Sequence, residues 1–99
     1  MWITSQKQPD RRIRANVTYV IVNYEGSHFP GLVVNVNRTY YEISCMQMYG
    51  PKQWRFPDRP DICDYYDEDI VEIINPPKML NSRGQVMAVP EVEKYWGGM

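Results

Sequence analysis

The stretch Tyr24-Glu25-Gly26-Ser27-His28-Phe29-Pro30-Gly31 separates two β-rich runs, residues 18–24 (TYVIVNY) and 31–36 (GLVVNV). Before it, Val20, Val22 and Tyr24 share one face of an extended chain, and Tyr19 and Ile21 share the other. Apolar residues on both faces suit a strand with packing on each side. Residues 25–28 form the turn, where Gly26 is free to take a positive φ. The second strand is expected over 29–36, with Leu32, Val34 and Val36 pointing inward and Asn35 away. Pro30 lacks a ladder donor, which predicts an edge or a bulge there. Gly31 permits a sharp bend.

Working outward, Asn37-Arg38 is a turn and residues 40–48 are a third strand, with Tyr41, Ile43 and Cys45 as its inner row. Tyr49-Gly50-Pro51-Lys52 turns the chain into a fourth strand, Gln53-Trp54-Arg55-Phe56, stopped by Pro57. After the loop 58–61, residues 62–66 are extended. Asp67-Glu68-Asp69 reads as one helical turn, acidic where a helix N-terminus favours acid. Residues 70–74 (IVEII) also fit a helical stripe. A strand is preferred because the run is short, β-branched and halted by Asn75-Pro76-Pro77. Residues 85–89 could add a further strand. Tyr95 and Trp96 are expected to fold back on the barrel or onto a neighbouring chain.

The chain has 99 residues, enough for one domain with a modest core. Its balance is 11 basic against 12 acidic residues and one His, with none of the basic surplus of a sequence-blind nucleic-acid binder. Bases gather at Lys7, Arg11, Arg12 and Arg14, and acids between 58 and 72. The two Cys, Cys45 and Cys63, are too few for a disulfide framework and read as thiols of a reducing compartment. No run approaches the ~20 apolar residues of a membrane span, and no signal peptide is seen, so an intracellular protein away from the membrane is expected.

From about Tyr19 to Ile74 the chain resembles the Tudor/chromo-like group of Src-homology-3-like small barrels. Tyr24-Glu25-Gly26, Phe29-Pro30-Gly31, Tyr41-Glu42-Ile43-Ser44 and Asp67-Glu68-Asp69-Ile70-Val71 carry the likeness. It implies an all-β fold: a five-stranded Tudor-like small barrel over 17–75, with a polar, basic N-terminal arm (1–16) and a C-terminal tail (76–99). It also implies a chromatin-associated, nuclear protein. Trp54-Arg55-Phe56-Pro57 with Asp61-Ile62 is similar to a C-terminal module of uncharacterised animal proteins, some transposon-derived in appearance. The chain departs from the group at Cys45, Met46 and Met48, where a late third-strand aromatic is usual, and in the added loop 57–61.

The resemblance implies a non-enzymatic module recognising a protein segment. Its sharpest form is an aromatic cage for methylated Lys or Arg. Tyr24 and Phe29 flank the first turn, Trp54, Phe56, Tyr65 and Tyr66 could supply further walls, and Glu25 an acid. Aromatic faces attract such a desolvated cation by roughly 0.5–2 kcal/mol per contact. The plain alternative is that these rings fill a small core. Nucleic-acid binding through Arg11, Arg12 and Arg14 with an aromatic face is the second reading. An oligomerisation or scaffold module, a homodimer included, is the third. His28 lacks a nucleophile beside it. With Cys45 and Cys63 it has no metal-ligand spacing, and the acids 64–69 lack a calcium loop's alternation, so no metal or cofactor is expected.

Overall fold

The computed structural model describes residues 10–96, which contain nine strands and one α-helix. In chain order these are β1 (Tyr19–Tyr24), β2 (Ser27–Val36), β3 (Tyr41–Cys45), β4 (Gln47–Gly50) and β5 (Gln53–Arg55). They continue as β6 (Asp61–Tyr65), a 3-10 turn (Asp67–Asp69), β7 (Ile70–Ile74), β8 (Lys78–Met79), β9 (Met87–Ala88) and α1 (Pro90–Trp96). The fold is mostly β, built from two antiparallel sheets ordered β6-β3-β2-β1-β7 and β4-β5-β9-β8. Among the described residues β6 and β7 do not pair, so the five-stranded sheet is not closed by hydrogen bonds.

The β1–β2 hairpin is tighter than the sequence suggests. Tyr24 pairs with Ser27, which leaves a two-residue loop of Glu25 (φ 51°) and Gly26 (φ 89°). Two positive φ values suit the twist of paired strands. Asn23 Oδ1 accepts from the Gly26 amide at 2.9 Å and braces the turn.

Strand β1 is buried on both faces, as its pattern indicates. Val20 and Val22 enter a first core with Ile13, Val33, Tyr41, Ile43, Cys45 and Tyr65. Ile21 enters a second with Met46, Trp54, Ile74, Met87, Val89 and Val92.

Three local expectations change. The inward row of β2 is not Leu32-Val34-Val36. Val33 is fully buried, and the β2–β3 register shifts between Val33 and Asn35. One extra residue at that bulge flips the phase, so Val33 and Val36 reach the same core. The expected strand 40–48 breaks at Met46. Its amide donates to Pro30 O at 2.9 Å while its side chain enters the second core, and the chain passes from one sheet to the other. The fourth strand of the first sheet is therefore β6, and the Gln53–Arg55 strand belongs to the second sheet.

Pro30 lies within the central strand β2, opposite Ile21 of β1. In an antiparallel ladder one residue's N–H and C=O face the same neighbour. Pro30 O faces Met46, so its missing donor also points where β3 has just ended.

From Asp10 onward the N-terminal segment lies against the first core. The Asp10 amide donates to Tyr41 Oη at 3.0 Å, and Thr18 Oγ1 accepts from the Arg14 amide at 2.8 Å while donating to Arg12 O at 3.1 Å. These bonds deliver Ile13 to the core. At the other end α1 packs on the second core through Val92. Pro90 opens the helix with its missing donor where no partner is needed, Glu91 and Glu93 lie in the first turn, and Lys94 lies in the last. Trp96 Nε1 donates to His28 O at 2.7 Å, and Glu72 of β7 accepts from Tyr95 Oη at 3.1 Å and pairs with Lys94 Nζ at 3.0 Å. Residues 85–89 contribute only the short β9.

Candidate functional site

The seven aromatic and acidic candidates fall in three places. Phe29, Trp54 and Phe56 gather at the second core. Phe29 meets Trp54 edge-on, with centroids 6.3 Å apart and planes at 86°, and meets Trp96 at 5.7 Å and 68°. Trp54 and Trp96 are 5.9 Å apart and tilted by 58°. Such edge and tilted pairs match the ring quadrupoles. The rings spend their faces on one another, and Trp54 is 1% exposed. The void bounded by Met48, Lys52, Trp54, Val92, Glu93 and Trp96 is about 10 Å³. That is the room one water needs, not a methylated ammonium. This cluster is core, and Trp54 does not present a cage wall.

Tyr65 lies in the first core, with its hydroxyl 3.3 Å from Cys45 Sγ. Burial pushes the phenol well above its usual range, with the Cys45 contact adding to the shift. Burial likewise pushes the Cys45 thiol up to about 11. Tyr65 is a structural residue.

Tyr24, Glu25 and Tyr66 remain at the surface. Tyr24 is 48% exposed at the β1–β2 turn, beside exposed Glu25. Tyr66 is 50% exposed at the start of the 3-10 turn. Its amide donates to Asp69 Oδ2 at 3.0 Å, which fixes the backbone and leaves the ring outside. That turn packs against β1, and β7 emerges from it with Ile70 opposite Val22.

Of the basic candidates, Arg12 is committed. Its Nη2 lies 2.7 Å from Asp10 Oδ2 and its Nε donates to Oδ1 at 3.1 Å. This hydrogen-bonded guanidinium holds the Asp10 carboxyl down at about 2. Arg11 and Arg14 are exposed, while Lys7 lies outside the described residues. His28 is also committed, since its ring stacks on Tyr95 at 4.3 Å and 11°. Cys63 is exposed, and Asp61 Oδ1 accepts from its thiol at 3.6 Å. No group of three or more His, Cys, Asp or Glu side chains could hold a metal ion among the described residues. No helix there is long and apolar enough to cross a membrane.

The extended segment expected over 62–66 is β6, and its place at the edge of the first sheet was not foreseen. Asp61, Ile62, Cys63 and Asp64 are all exposed, and the strand has β3 as its single neighbour among the described residues. The β3–β6 register sets Asp64 directly opposite Glu42, and Ser44 opposite Ile62. The alternation of β3 with its inner row Tyr41-Ile43-Cys45 already put Glu42 on the outer face. Only the pairing reveals a second carboxylate beside it.

The chain matches no known family model, no curated protein and no solved structure.

Proposed function

We propose that the chain is a non-enzymatic module that recognises a cationic protein segment, in its sharpest form a methylated Lys or Arg, at the β1–β2 turn. The observation that carries this reading is the conformation of Glu25. It occupies the left-handed region, φ 51°, where a non-glycine residue costs about 1–2 kcal/mol. Asn or Gly would serve the turn at lower cost. A strained residue kept where a better one is available points to a role for its side chain. Here that side chain is an exposed carboxylate beside the half-exposed ring of Tyr24. An aromatic face and a carboxylate together favour a soft cation.

The strand order β6-β3-β2-β1-β7, with a 3-10 turn leading into the last strand, supports the finer reading of a Tudor-like small barrel carrying a β4–β5 insertion.

An amide NMR titration with methylated and unmethylated lysine peptides tests the proposal. Tyr24→Ala should weaken methyl-peptide binding at least tenfold and leave the domain folded. Glu25→Asn should stabilise the fold while weakening the peptide. Unchanged affinity in both variants overturns the reading.

A further inference from the structure

We infer that β6 is a docking edge for an extended, basic protein segment, which adds to the five-stranded sheet as a sixth strand. This rests on the module's recognising a protein segment, but it uses a different surface from the β1–β2 turn.

Three observations converge on it. First, β6 is an open edge. Four of its five residues are exposed and its side away from β3 is unpaired among the described residues. A row of free backbone donors and acceptors is a template for another strand.

Second, the outer face of the edge carries a like-charge pair. Asp64 and Glu42 are directly opposed, an arrangement that destabilises a sheet. Glu42 Oε2 accepts from Asn35 Nδ2 at 3.1 Å. No ion pair takes up Asp64 or Glu42 among the described residues, and exposed Asp58, Asp61 and Glu68 add to the same sign. Residues 58–72 hold seven acids and one Arg. A Lys or Arg on an added strand, placed opposite Asp64, would separate the repulsion into an attraction.

Third, Ile62 lies on the same outer face two residues away, with 47% of its surface in water. Side chains alternate along a strand, so a docked segment meets Ile62 and Asp64 with residues two apart. The recognised pattern is therefore a basic residue two positions from an apolar one. Acids along a free edge also deter self-pairing, which leaves the edge selective for a basic partner rather than for a second copy.

The test uses a synthetic peptide repeating Lys-Thr-Val-Thr, unmethylated, which sets Lys and Val two positions apart on one face, and the same peptide with Glu replacing Lys. Hydrogen exchange at residues 61–65 is followed by NMR. The Lys peptide should slow exchange of the outward β6 amides and the Glu peptide should not. Asp64→Lys should weaken the Lys peptide at least tenfold, and Asp64→Asn should weaken it less. Tyr24→Ala should leave this binding unchanged, so failure here and failure at the β1–β2 turn are told apart. Absence of protection, or equal affinity in both Asp64 variants and the unaltered protein, overturns the proposal. Protection that appears in the peptide-free protein as its concentration rises also overturns it, in favour of a second copy on the edge.

Discussion

Replacing Gly31 with Ala tests how closely β2 and β3 are drawn together. Gly31 sits in the middle strand, opposite Val20 on one side and Cys45 on the other. A Cβ there would lie 2.7 Å from Ile43 Cγ2 and 2.9 Å from the Ser44 carbonyl oxygen. The first contact could relax by a side-chain shift. The second is with backbone in a paired strand, so the ladder itself must move. Overpacking of this kind costs typically 1–3 kcal/mol, and the backbone contact places Gly31→Ala toward the upper end. Restricting the unfolded chain returns about 0.4–1 kcal/mol, which leaves a net loss of about 1–2 kcal/mol. For a domain this size that lowers Tm by roughly 4–16 °C. Urea unfolding followed by tryptophan fluorescence should show a lower midpoint with an unchanged slope. Gly26→Ala supplies the contrast. A Cβ at Gly26 meets nothing within 4 Å, and its cost arises from φ +89° alone. A Gly31→Ala protein as stable as its parent would refute the close approach, and with it the register of β2 on β3.

Two further perturbations probe the cores. Cys45 has its thiol pKa raised to about 11 from 9.0 by burial, so the folded state holds that proton longer than the unfolded chain. Its contribution is intact below pH 9 and is lost as pH rises toward 11, by about 2–3 kcal/mol in all. Urea midpoints across that window should fall, and Cys45→Ala should flatten this part of the slope while lowering stability at pH 7. Trp96→Phe keeps a ring against Phe29 and Trp54 but removes the donor to His28 O, which costs about 0.5–1.5 kcal/mol. Equal stability to the parent in thermal unfolding would show that this bond does not hold α1 in place.

The first hairpin, the inner row Tyr41-Ile43-Cys45, the 3-10 turn and β7 were legible because each rests on a local signal. Alternation, a Gly in a turn and a β-branched run before Asn75-Pro76-Pro77 are all visible within a few residues. The phase of β2 was not legible. The bulge between Val33 and Asn35 is set by pairing with β3, and three apolar residues in a row permit either face. Met46 hid the change of sheet because a Met inside a strand pattern looks like one more strand residue. The second sheet was hard to foresee because β8 and β9 are two residues each, and α1 runs only seven. Even so, Pro90, two early acids and a late Lys were signals for that helix.

At the site, residue type exposed the aromatics but not their burial. Trp54 and Tyr65 look like Tyr24 and Tyr66 in a sequence, and only packing separates a filled core from a surface. The acidic edge suffered the reverse problem. Asp64 was visible as part of a charge run, yet its opposition to Glu42 exists only in the ladder.

The two cores impose an order on synthesis. Every residue of the first core, with the side chains packed around it, lies between Ile13 and Ile73. The second draws on Met87, Val89 and Val92, with Tyr95 and Trp96 packed against it. As the chain leaves the ribosome, the first sheet has all its strands well before the second can be covered. Until α1 arrives, β1 shows the nascent protein's surroundings one apolar face, and Ile21 and Trp54 lack their lid. A truncation before Pro90 would make that interval permanent and create a sticky, chaperone-bound species from a sheet otherwise intact.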